Sequence, residues 1–152
     1  MIQRVQSIWL LLTSLTLFLL LLVPVITKQW NGNEYSLLVT GLYQRTNGVS
    51  TRLNSFLPLF TSTIIIALIA FINIFIFKNR AIQKRIAIVV IILIAGLSFW
   101  VSQVALKIPG GTAGASFGIG AFLPILAIIW CFLAIRGIKK DESLIRSADR
   151  LR

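Results

Sequence analysis

The chain has 152 residues, 57% of them apolar and 12% charged, where an ordinary soluble domain carries about a quarter charged residues. That composition excludes a soluble globular fold, so the formal charge of +11 bears first on how the chain sits in a membrane. There is no histidine, and three of the four acids (Asp141, Glu142, Asp149; the fourth is Glu34) lie among basic residues near the C-terminus. No paired-carboxylate or metal-ligand constellation can be assembled from them, and neither an enzyme nor a bound metal or cofactor is expected.

Four charge-free stretches of 19 to 23 residues follow in chain order: Ser7 to Ile26, Ser55 to Phe77, Ile86 to Leu106 and Phe117 to Ile135. At about 1.5 Å per residue each covers a hydrocarbon core of about 30 Å, and a backbone in lipid must satisfy its own hydrogen bonds, so each is expected to be a transmembrane helix. The expected fold class is an all-α membrane protein, a four-helix transmembrane bundle in one integral membrane domain spanning residues 1–152. A small β-hairpin element is expected in the first outer loop.

Arg4 ahead of the first stretch resembles the start of a secretory signal. The apolar run is too long for one, however, and Pro24-Val25-Ile26-Thr27 lacks a small-x-small cleavage pattern, so the first span is expected to be retained. The outer loop from Thr27 to Asn54 carries two tight-turn signals, Asn31-Gly32 and Asn47-Gly48. Between them the segment from Tyr35 to Tyr43 is rich in β-formers, which predicts two or three short strands. An isolated hairpin is marginal in water, so this sheet should lean on the outer helix ends, with Trp30 and Tyr43 as outer-loop contacts near the interface.

The second and fourth spans share an echo, Phe56-Leu57-Pro58-Leu59-Phe60 and Phe122-Leu123-Pro124-Ile125-Leu126. Pro58 falls in a first helical turn, whereas Pro124 demands a kink or a late helix start if the fourth span begins near Phe117. Between the third and fourth spans, Gly110, Gly114 and Gly118 recur every fourth position; a helical packing groove is one reading and a flexible outer loop opened by Pro109-Gly110-Gly111 is the other. Cys131, the single cysteine, lies in the fourth span and reads as a small buried hydrophobe.

Lysine and arginine are divided unequally between alternate connections. Arg4, then Lys78, Arg80, Lys84 and Arg85 between the second and third spans, then Arg136, Lys139, Lys140, Arg146, Arg150 and Arg152 make 11 of the 15 basic residues on one side. The other side has Lys28, Arg45, Arg52 and Lys107, so the positive-inside rule places both termini and the middle loop in the cytoplasm. None of the spans contains an ionisable side chain other than Cys131, which speaks against a proton-coupled transporter. Asn73, Ser98, Ser102 and Gln103 are the candidate interhelical polar residues, with Ala95, Ser98, Ser102 and Ala105 forming one small-residue face of the third helix.

Beyond Arg136 nothing but Gly137 interrupts the fourth helix, so the tail is expected to be helical and amphipathic, with Ile138, Leu144, Ile145, Ala148 and Leu151 on one side. Arg136, Lys139, Arg146, Arg150 and Arg152 are its candidate contacts with anionic lipid or with a protein partner. The tail has no aromatic residue to stack a base, which argues against nucleic acid.

Met1-Ile2-Gln3-Arg4-Val5-Gln6-Ser7-Ile8-Trp9 at the start, Gly120-Ala121-Phe122-Leu123-Pro124-Ile125-Leu126 in the last span and the ending from Lys139 to Arg152 resemble a bacterial family of small four-span inner-membrane proteins known only as a domain of unknown function. The resemblance covers essentially the whole chain and implies an inner-membrane location without implying an activity. Trp30 and Gly41-Leu42-Tyr43 also resemble the tryptophan and Gly-Leu-Trp of the claudin-type first outer loop; the cysteine pair of that loop is missing, so only a layout of helices with a small outer sheet is shared.

Since the spans lack reactive groups while the parts outside them look suited to contact, the expected function is a non-enzymatic accessory or scaffold subunit of a larger inner-membrane assembly. Its expected partners are membrane lipids and other inner-membrane or cytoplasmic proteins. The alternative is a small channel or carrier for a neutral solute, with Asn73, Gln103 and the Ser98/Ser102 face lining its path.

Overall fold

The computed structural model describes residues 5–46, 48–77, 79–109 and 111–149, with side chains described as far as 143. Helix α1 (Val5–Leu20) leads into strands β1 (Ile26–Trp30), β2 (Asn33–Leu38), β3 (Gly41–Thr46) and β4 (Val49–Ser55). Helices α2 (Leu57–Ile72) and α3 (Arg80–Ala105) follow, then a two-residue strand β5 (Ser116–Phe117) and helix α4 (Leu123–Asp149). The strands form a five-stranded sheet in the order β4-β3-β2-β1-β5, every neighbour antiparallel.

This corrects the expectation of an all-α four-helix transmembrane bundle. Among the described residues three helical segments are long and apolar enough to cross a membrane, Leu57–Phe75, Arg80–Ala105 and Ile119–Ser143, while α1 is a shorter apolar helix of 16 residues. The physical reason lies at the end of the first apolar stretch. Its last residues leave the helix: Leu21 and Leu22 close it with turn hydrogen bonds, and Pro24 can donate no backbone N–H. Val25 N–H then bonds the Leu37 carbonyl and Ile26 is already a residue of β1. Apolarity alone did not distinguish a helix-buried Ile26 from a sheet-buried one.

Two or three strands were expected in the first outer loop and four are present. The segment from Tyr35 to Tyr43 is two strands, because the chain turns at Val39-Thr40, where Leu38 pairs with Gly41. The turn at Asn31-Gly32 is as expected, with φ of 49° and 77° at its two residues, the left-handed pair that a two-residue hairpin needs. Ile26, Leu37, Val39 and Leu42 are each buried to 5% exposure or less and join Leu20, Leu59, Ala105 and Leu123 in one apolar cluster. Full burial of such side chains stabilises by about 1.5–3 kcal/mol each, so the sheet is anchored to the helix ends at its near edge.

Each helix buries a seam spaced alternately by about three and four residues. In α1 it is Gln6, Leu10, Thr13, Leu17 and Leu20, and in α3 Gln83, Ala87, Val90, Ile94, Leu97 and Val101. Such spacing is that of helices packed at a shallow left-handed crossing. Helix α1 lies against α2 and α4, and α3 closes the group against the same two. The start of α1 and the C-terminal part of α4 meet where Gly137 approaches Gln6, at the end of the bundle opposite the sheet.

The glycine-rich connection is a loop, as one of the two sequence readings had it. It contributes β5, whose Ser116 and Phe117 pair with Thr27 and Ile26. Gly118 and Gly120 then lie directly on the Pro24 carbonyl, where a Cβ would overlap it. Helix α4 starts at Leu123, which puts Pro124 in its first turn and gives the late start its position called for.

Candidate functional site

The basic end of the bundle joins α3 to α4 through polar contacts. Asn79 caps α3, accepting the Ile82 N–H at 3.2 Å, so the helix begins at Arg80 and carries Arg80, Lys84 and Arg85 in its first turns. Arg80 donates to the Asp141 carbonyl of α4 at 2.9 Å, and Lys84 Nζ lies 3.9 Å from a Glu142 carboxylate oxygen. Lys84, Lys139, Glu142 and Ser143 line an open cavity of about 300 Å³ at the surface. Arg136 and Lys139 are exposed. Arg146 is helical backbone whose side chain is not described, and Arg150 and Arg152 lie outside the described residues, as do Arg4 and Lys78.

Just inside this end, Asn73 is fully buried in the short 3₁₀ turn after α2 and donates to the Gln83 carbonyl at 3.1 Å. Gln83 Nε2 returns a bond of 3.1 Å to the Asn73 carbonyl. A third span beginning at Ile86 leaves Gln83 in a loop; polarity beside Lys84 and Arg85 hid a residue of the buried seam. Gln6 was missed for a similar reason, since a polar residue next to the chain start reads as solvated. It is 1% exposed, and neither of its amide atoms has a hydrogen-bond partner among the described residues.

The other polar residues of α3 are placed differently from an interhelical seam. Ser98 Oγ donates to the Ile94 carbonyl at 2.8 Å and Ser102 Oγ to the Phe99 carbonyl at 2.7 Å, both within their own helix. Of the small-residue face, Ala95 and Ser102 are exposed, Ser98 is half-buried and Ala105 is buried, and Gly96 and Gln103 beside it are exposed. Ser98 and Ser102 instead line a mostly apolar groove of about 160 Å³, opposite Phe117, Gly120, Ala121 and Pro124. Asn73, Gln103 and the serine pair therefore do not converge on a common path.

In the sheet, Trp30 is at the far tip of β1, away from the helices, with the Lys28 ammonium 5.0 Å from its ring. Tyr43 sits nearer the helices on β3, its hydroxyl 3.3 Å from Thr40 Oγ1 and its ring 5.9 Å from the Arg52 guanidinium. The two aromatic residues thus do not share one level of the molecule. Lys28, which the sequence marks only as one of the four basic residues of its side, is 4% exposed and donates to the Gly111 carbonyl at 2.7 Å, tying β1 to the loop between α3 and β5. No group of three or more His, Cys, Asp or Glu able to hold a metal ion is found among the described residues.

A family model described as Domain of unknown function (DUF4293) matches residues 2–151. No curated protein and no solved structure matches the chain.

Proposed function

The chain belongs to the DUF4293 family, a domain of unknown function, and from that premise we propose that it is a non-enzymatic accessory or scaffold subunit of a larger membrane assembly. The observation that carries this reading is the outward face of α3. Its own bundle uses the seam from Gln83 to Val101, and Ala95, Gly96 and Gln103 are left exposed on the outward side, beside Ile92 and Phe99. A Cβ added at Gly96 would meet nothing within 4 Å. Small residues let helix backbones approach closely in lipid, and an amide at such a contact adds roughly 1 kcal/mol of hydrogen bonding, so the partner that suits this face is a transmembrane helix of another chain.

The membrane we assign is the bacterial inner membrane. Arg80, Lys84, Arg85, Arg136, Lys139 and Lys140 cluster at one end of the helices and the sheet lies at the other, so the positive-inside rule supports a cytoplasmic basic end and a sheet outside. The solute-path alternative loses support because its lining residues are divided between a buried reciprocal pair, a mostly apolar groove and the exposed surface.

The test is purification of the tagged chain from its native membrane in mild detergent, beside a Gly96→Leu/Gln103→Leu variant of the same expression level. A stoichiometric membrane partner present with the parent and lost from the variant supports the reading. A bare chain in both samples, or a partner retained by both, removes it.

A further inference from the structure

The cavity between α3 and α4 at the basic end has a chemistry of its own. Two ammonium groups, from Lys84 and Lys139, line it from different helices, and it is about 300 Å³ in volume, large enough for a phosphate with its glycerol. Arg80 stands one turn before Lys84 on α3, and Arg136 one turn before Lys139 on α4, so each lysine has a second cation on its own helix face. The walls are held in place by the Arg80 bond to the Asp141 carbonyl. Ser143 gives its hydroxyl proton to the Lys140 carbonyl at 2.7 Å, which leaves the lysines as the donors. Glu142 is the opposing charge, but its contact with Lys84 is 3.9 Å long and both side chains are about a third exposed, an arrangement of little strength that a doubly contacted anion can displace.

Toward the sheet, apolar residues continue the same two faces. Ile88 lies one turn beyond Lys84 and is 43% exposed, and Phe132 lies two turns from Lys139 and is 59% exposed. An occupant with an anionic phosphate and apolar chains would meet cations and hydrocarbon in the order the helices present them.

We propose that the Lys84/Lys139 cavity is a binding site for a phosphate oxyanion, supplied by the headgroup of an anionic phospholipid. The inference rests on the membrane orientation given above and does not depend on the accessory-subunit role. Glu142 competes with the ligand for Lys84, so the site is tuned by one carboxylate.

The experiment is native mass spectrometry of the purified full-length chain in neutral detergent, titrated with phosphatidylglycerol, with phosphatidylcholine of matched chains, and with inorganic phosphate as a competitor. Phosphatidylglycerol should bind saturably as a single adduct. Lys84→Gln and Lys139→Gln should each weaken it about fivefold, Glu142→Gln should tighten it by a similar factor, and Arg85→Gln, on a different face, should leave it unchanged. Competition by inorganic phosphate with the same variant pattern supports the site with a free phosphate as its source; no competition supports the lipid headgroup. Equal binding of phosphatidylcholine, equal weakening by Arg85→Gln, or no saturable adduct overturns the proposal. Unchanged melting of the lysine variants separates these results from misfolding, and partner co-purification, being a separate measurement, can fail while this site stands.

Discussion

Asn73 and Gln83 each donate a side-chain N–H to the other's main-chain carbonyl, both at 3.1 Å, across the turn that joins α2 to α3. Both residues are fully buried, and this pair ties the 3₁₀ turn to the third helix, adding a second bond to an Asn73 carbonyl that already accepts the Ile76 N–H at 3.3 Å. Asn73→Ala and Gln83→Ala are each expected to destabilise by about 0.5–1.5 kcal/mol, the net worth of one buried hydrogen bond, since each acceptor keeps a backbone donor. Thermal unfolding in detergent checks this, and a loss confined to one of the two variants would contradict a reciprocal role.

Gln6 should respond in the opposite sense. Both of its amide atoms are buried without a hydrogen-bond partner among the described residues, beside Gly137 of α4. Gln6→Met keeps the length of the side chain and removes the orphaned polar atoms, so it is expected to stabilise by about 1 kcal/mol. An unchanged or lower melting temperature would show that the amide is satisfied in the membrane.

The glycines divide by position. Gly118 and Gly120 press on the Pro24 carbonyl, and Gly120 would place a Cβ 2.7 Å from its oxygen. Gly120→Ala and Gly118→Ala should therefore cost about 1–3 kcal/mol by forcing β5 and the start of α4 away from the segment before β1. Gly96→Ala, in open space within α3, should instead stabilise the isolated chain by about 0.5–1 kcal/mol. Melting of the three purified variants gives both signs in one experiment.

Arg80 connects the start of α3 to α4 through the Asp141 carbonyl. Since the contact is partly exposed and single, Arg80→Ala should leave global stability within about 1 kcal/mol of the parent. The effect belongs to the C-terminal extension of α4, whose amide hydrogen exchange beyond residue 138 should rise while exchange in the bundle stays as it was. Equal protection in both proteins would mean that the extension holds itself.

How far the sequence could be read depended on which physical signal each feature leaves. Asn31-Gly32 announced its turn because a two-residue hairpin needs left-handed backbone at both positions. Pro124 announced either a kink or a late start of α4, because proline fits only a first turn without loss, and the helix takes the late start. The Val39-Thr40 turn left no comparable mark, so two strands read as one. Ser98 and Ser102 read as packing residues because a small-residue face suits a neighbouring helix, and nothing in the spacing says whether that neighbour belongs to the same chain.

The sequence by itself determined that this chain has membrane-length apolar helices and that its basic residues gather in alternate connections, because both are properties of composition along the chain. Only the tertiary structure decided which side of each helix is core. In a helix apolar all round, hydrophobicity does not distinguish the two, and packing selects Gln83 and Ile94 for the inside while leaving Gly96 and Gln103 outside. The tertiary structure alone also joined Phe117 to Ile26 in one sheet and Lys84 to Lys139 around one cavity, since both pairings link segments far apart in sequence and no local propensity encodes them.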